Sequence, residues 1–151
     1  MIRLNKMTDY AVVLMTELAL SGEIMASVDL ARRTTIPQPT VAKLLKVLAQ
    51  GRLTVAHRGR AGGYGLGRPA KDISIAQIIE VVEGPLAVTA CIDGTHDNCE
   101  YEQTCPMNGR WEMVNTVIRR ALNGVSLAEM AVGPFAALGA FADGTSAPAT
   151  L

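Results

Sequence analysis

Cys91, Cys99 and Cys105 are the only thiols of a 151-residue chain, and they fall within one short stretch, CIDGTHDNCEYEQTC, spaced C-x7-C-x5-C. Soft thiolates so grouped bind zinc, copper(I) or an iron–sulfur cluster. Structural zinc sites favour tighter C-x2–4-C pairs than these intervals offer. A thiol switch is a third chemistry, but Asp93, Asp97, Glu100 and Glu102 surround the thiols and oppose the thiolate it needs. Three incidental thiols are the bland alternative. An iron–sulfur cluster usually takes four ligands, so three thiolates leave one to be found. The candidates are Asp9, His96, Asn108 and the loop acids. Asp9 would have to reach the loop from a partner subunit. It also sits where the helix dipole favours an acid without any metal.

A second set of residues suits a polyanion. Residues 27–71 hold nine Lys/Arg and one acid, Asp29, in a chain whose formal net charge is zero. A basic block in an otherwise balanced chain points to nucleic acid on one face. Thr40 and Lys43 open one predicted helix with Gln38 just before it, and Arg58 and Arg60 flank a glycine-rich turn. Lys and Arg release condensed counterions from phosphates, which is the chemistry double-stranded DNA would require.

These residues need elements to position them. The stretch 8–20 reads as a buried helix capped by Thr8 or Asp9 and ended by Ser21-Gly22. A short helix over 27–34, capped by Ser27, is expected to bury Val28, Leu30 and Ala31 and expose Arg32 and Arg33. After the turn TIPQP, a helix over 40–53 carries the stripe Val41, Leu44, Leu45 and Leu48, with Gly51 as its closing residue. LTVAHR and YGL around RGRAGG read as a hairpin with a positive tip. Helices follow over 72–84, within 105–124, and from the capping box SLAE at 126–129. The expected fold is mainly α with a small β-hairpin wing: a winged helix-turn-helix over 1–84, a cysteine loop over 85–106, a long dimerisation helix and short helix over 107–131, and a flexible tail over 132–151. The order helix, helix, turn, helix, hairpin would put the helix from residue 40 in the major groove and the hairpin on backbone or minor groove.

No apolar run is long enough to span a membrane, and the start MIRLNKMTDY lacks the regions of a signal peptide. The expectation is a cytoplasmic protein with reduced thiols. There is no nucleotide-binding loop and no C-x-x-C, and His57 and His96 are isolated, so an enzyme is not expected.

Together MTDYAVVLMTELAL, IPQPTVAKLLKVL, HRGRAGGYGL and ISIAQIIEVVEG resemble the Rrf2 family of bacterial winged-helix regulators of the IscR and NsrR type, most of all those of SUF iron–sulfur assembly genes. The resemblance runs from about Ile2 to Met130. It implies a homodimer on a pseudo-palindromic promoter operator, with the long helix packing on its mate. It implies an iron–sulfur cluster on Cys91, Cys99 and Cys105, with Asp9 as the fourth, oxygen ligand; His96 ranks next on its place between the first two cysteines, apart from the resemblance. A 2Fe–2S cluster is favoured by the assembly context, and 4Fe–4S stays open because of Asp9. The chain departs from the family pattern in its first interval of seven residues instead of five, in Asn108 where IscR has a histidine, and in Ala42 where some relatives carry an acid.

Overall fold

The computed structural model describes residues 3–89, 92, 104–107 and 109–132. Among them the order is α1 (Lys6–Ser21), α2 (Ser27–Thr34), α3 (Gln38–Gln50), β1 (Thr54–His57), β2 (Gly63–Leu66), a short 3-10 turn, α4 (Ile75–Glu83), α5 (Trp111–Asn123) and α6 (Leu127–Val132). Cys91, His96, Cys99, Asn108 and the tail from residue 133 lie outside the described residues.

Helix α1 starts earlier than the sequence suggests. Asn5 is its cap, accepting from the Met7 N–H, so neither Thr8 nor Asp9 has that role. Thr8 is instead fully buried and donates its hydroxyl to Glu83 Oε1. Glu83 Oε1 also accepts from the Asn5 N–H at 3.0 Å. The carboxylate at the end of α4 thus serves two donors at the start of α1, where unpaired N–H groups and the helix dipole favour an anion.

The core closes around Ala11, Leu14, Met15 and Leu18 of α1, Leu30 of α2, the Val41/Leu44/Leu45/Leu48 stripe of α3, and Ile75, Ile78 and Ile79 of α4. Ala26 and not Ser27 precedes α2 as its cap. Val28 is 50% exposed, contrary to its expected inward place, because Leu30 alone on that helix is fully buried. Helix α3 begins at Gln38, two residues early, since Pro39 suits a first turn. Its left-handed closing residue is Arg52 (φ 58°), and the Leu53 N–H reaches back to the Leu48 carbonyl at 2.9 Å. Gly51 has an ordinary helical φ of −76°. It is small for a different reason: a Cβ there would lie 2.5 Å from Val81 Cγ2, so α3 and α4 approach closely at this point.

Strands β1 and β2 pair antiparallel, with Thr54 opposite Leu66 and His57 opposite Gly63. A third strand-like contact was not legible in the sequence. Met25 and Tyr64 exchange backbone hydrogen bonds of 3.0 and 2.8 Å, which ties the chain between α1 and α2 to the wing. Gly63 permits this, because a Cβ there would overlap the Met25 carbonyl. Helix α4 begins after Ser74 and not at Asp72; Ser74 and Gln77 form a reciprocal capping box. Ser126 and Glu129 form the second box, as SLAE suggested. The turn between α5 and α6 returns to the start of α4 through Ile75 N–H to Val125 O (2.9 Å) and Leu127 N–H to Ile73 O (2.8 Å). None of the described helices is long and apolar enough to cross a membrane.

Candidate nucleic-acid interface and cysteine segment

The α3 stripe that faces the core leaves a complementary face outward. Gln38, Pro39, Ala42, Lys43, Lys46 and Gln50 are all exposed, whereas Thr40 is half-buried. Of the DNA-facing residues expected from sequence, Gln38 and Lys43 lie on the exposed surface and Thr40 on its flank. Lys46 and Gln50 were passed over, although their spacing from Lys43 (i+3, i+7) places them on the same side. Lys43 and Lys46 make no ion pair among the described residues, so their charge stays available to a polyanion.

The wing adds two more cations. Arg58 and Arg60 are exposed in the tip between β1 and β2, and neither is paired among the described residues. The tip closes by a Gly62 N–H to Gly59 O bond of 3.0 Å, with Gly59 at φ 113°. By contrast, the two arginines of α2 are engaged. Arg33 pairs with Glu17 of α1 at 2.9 Å, and Arg32 with Asp29 at 3.3 Å. Arg33 thus braces α1 against α2, whereas the exposed cations of α3 and the wing tip have no ion-pair partner among the described residues. An exposed helix with unpaired lysines beside a basic hairpin tip matches the groove-plus-backbone geometry of a winged helix-turn-helix.

The cysteine segment is described only at its end. Cys105 is a half-buried free thiol. Asp9 is exposed on the first turn of α1, at an open recess of about 630 Å³ shared with Arg3, Asn5, Lys6 and Glu83. Among the described residues no three His, Cys, Asp or Glu side chains gather as a metal site. The donor chemistry of the chain is suited to a soft metal centre: three thiols close in sequence and an accessible carboxylate.

Helix α5 follows this segment. Asn115, Ile118 and Leu122 face the rest of the molecule. Met113 (72% exposed), Val117 (60%), Val114 and Trp111 do not. Arg119 Nη2 lies 2.8 Å from Glu80 Oε1, a charge contact without an aligned hydrogen bond. The Ser74 hydroxyl donates to Asn123 Oδ1 at 2.9 Å, a second tie between α4 and α5.

A helical domain with an outward recognition helix and a charged two-stranded wing defines a DNA-binding protein of the winged-helix class. The model of the Rrf2 family, described as iron-dependent transcriptional regulators, matches residues 4–133, and the chain belongs to that family. It is 35% identical over 133 residues to the HTH-type regulator Rv1287 of Mycobacterium tuberculosis, covering 87% of this chain and 82% of that one. The HTH-type regulator NsrR of Oceanobacillus iheyensis is 31% identical over 106 residues, covering 69% and 72%. Among solved structures, T. potens IscR superposes with a TM-score of 0.64 at 25% identity, covering 98% and 94%. The B. subtilis cysteine regulator CymR gives 0.68 at 22% identity, covering 87% and 98%, and shares the fold. These proteins are transcriptional regulators and not enzymes, and this chain is a DNA-binding transcription regulator.

Proposed function

We propose that this regulator senses an iron–sulfur cluster and, as a homodimer, represses iron–sulfur assembly genes from a pseudo-palindromic operator. The observation that carries the reading is the gathering of every thiol of the chain into residues 91–105, directly before α5. Membership of a family described as iron-dependent, which includes the cluster-binding IscR and NsrR, supports it. Cys91, Cys99 and Cys105 hold the cluster, with Asp9 as the fourth ligand ahead of His96. The favoured form is 2Fe–2S, with 4Fe–4S as the alternative. Bound there, the cluster supplies an anionic centre that is labile to oxidant, nitric oxide or iron loss.

The chain's own residues supply the coupling. The apolar arc of α5 is wider than one subunit covers. Ile118 and Leu122 face α4 and the 85–88 segment, whereas Met113, Val114 and Val117 are bare, which suits a second copy of the helix. In the dimer the two α3 helices engage half-sites roughly one helical turn, about 34–36 Å, apart. Gln38, Thr40, Lys43 and Lys46 face the groove, and Arg58 and Arg60 reach the backbone or minor groove. Cluster binding by Cys91, Cys99 and Cys105, which precede α5 in sequence, resets the spacing of the two recognition helices and so the operator affinity.

The test is anaerobic purification with iron and sulfide counts and Mössbauer spectroscopy, followed by operator titration with apo and reconstituted protein. Matched iron and sulfide with tighter binding by the loaded form is expected. Equal affinity of both forms ends the sensing reading. Zinc without sulfide, or a reversible disulfide in a metal-free protein, would make it a zinc or thiol-switch regulator of the same fold.

A further inference from the structure

A recess of about 970 Å³ opens between Arg3 and Leu4, the end of α4, the 85–88 segment and the inner face of α5. Ile79, Leu86, Val88, Ile118 and Leu122 give it hydrocarbon walls. It offers little to a polar ligand. Asn115 Oδ1 beside it is sealed from solvent, and the Glu83 carboxylate at its rim already accepts from Asn5 and Thr8. A hollow of this size and lining suits a large apolar group.

The chain itself carries such a group. Residues 133–142, GPFAALGAFA, follow α6 directly and hold no charged or hydrogen-bonding side chain. Both phenylalanines of the protein, Phe135 and Phe141, fall within them. A segment that stays in water is typically poor in large apolar residues and rich in charge, so this run calls for cover. Met130 and Val132, which lead into it from α6, are exposed. The reach is sufficient. Helix α6 packs on α1, and Leu4, just before α1, borders the recess. The sixteen residues of α1 measure about 24 Å, whereas the chain from Val132 to Phe141 extends up to about 30 Å. Phe135 stands only three residues past Val132, a reach of about 10 Å.

We infer that this recess is the seat of the chain's own segment 133–142, with Phe141 as the side chain that fills it. Seated there, the ring joins the end of α4 to the inner face of α5. The inference needs neither the cluster nor the dimer.

The test uses the full-length, reduced, metal-free protein grown with 4-fluorophenylalanine, which labels positions 135 and 141 alone. Phe135→Leu leaves the single resonance of Phe141. That resonance is expected away from its position in the urea-unfolded chain, shielded from a soluble gadolinium chelate, and in Overhauser contact with methyls of Ile79, Leu86 or Ile118. Phe141→Ser, which lies outside the core, should keep the circular dichroism of the parent and shift those methyls. Leu86→Trp fills the recess from its non-helical wall and should return the fluorine to the reach of the chelate. If that variant misfolds, the methyl shifts of Phe141→Ser still decide. A fluorine with the position and the chelate broadening of the unfolded chain would overturn the inference. So would contacts with Met113 or Val117, which place the segment on the bare face of α5. Contacts seen only between a fluorine-labelled and a methyl-labelled chain in a mixed sample would overturn it too, because the ring would then sit in the recess of a second copy.

Discussion

The contact between Gly51 and Val81 is the sharpest place to test how the recognition helix is seated. At φ −76° Gly51 admits alanine without backbone strain, and the exchange alone would stabilise by about 0.5–1 kcal/mol through the unfolded chain. The packing opposes it. An added Cβ would stand 2.5 Å from Val81 Cγ2, 2.6 Å from Cγ1 and 3.2 Å from Cβ. Rotating Val81 about χ1 leaves its Cβ in place at 3.2 Å, so that contact stays tighter than ordinary van der Waals packing. Helices α3 and α4 must therefore separate, and such overpacking costs about 1–3 kcal/mol. Gly51→Ala is expected to lower stability by about 1–2 kcal/mol in urea denaturation and to weaken operator binding, since α3 shifts. Val81→Ala removes the obstacle. In that background Gly51→Ala should become neutral or stabilising, a reversal of sign that a double-mutant cycle reads directly. A Gly51→Ala protein as stable as the parent, with Val81 intact, would refute the close approach and the seating of α3 derived from it.

Lys46→Ala should weaken DNA binding by a similar factor on specific and random duplexes and reduce the salt slope by about 1, as loss of one phosphate contact does. Val117→Glu, on the bare face of α5, should shift the protein toward monomer in analytical ultracentrifugation while leaving the monomer fold intact. Glu83→Ala removes the acceptor for the Asn5 N–H and the Thr8 hydroxyl, and should raise amide exchange over the first turn of α1 more than elsewhere. The Glu129 carboxyl is held below its ordinary value of 4.5 by the Ser126 hydroxyl and N–H. A lowered folded value means that the capping contribution is complete above pH 4.5 and is lost as pH falls through the folded value. An NMR titration should place the Glu129 midpoint below 4.5, and Ser126→Ala should return it toward that value.

The architecture was largely legible because its signals are periodic. The Val41/Leu44/Leu45/Leu48 stripe and the SLAE capping box each encode a local structure, and both appear where expected. The errors lie at boundaries, where tertiary contacts outweigh local preference. Thr8 looks like a cap but is buried against Glu83, and Arg52 takes the left-handed position that a glycine beside it would take more cheaply, because Gly51 is needed against Val81. Val28 read as a core residue and is half exposed, because periodicity cannot show how much of a short helix its neighbours cover.

From the amino-acid order alone came the class of the molecule: a basic winged helix-turn-helix, a cluster of soft thiols and a helix behind them. These depend on residue type and near-neighbour spacing, which one-dimensional order carries. Three matters belong to the folded chain. The tertiary structure ties one arginine of the basic block, Arg33, to Glu17 of α1 and leaves the cations of α3 and the wing tip facing outward. It leaves much of the apolar arc of α5 exposed, and it buries Asn115 Oδ1 without a donor among the described residues. Each is a relation between surfaces far apart in sequence, and such relations exist only once the helices have packed.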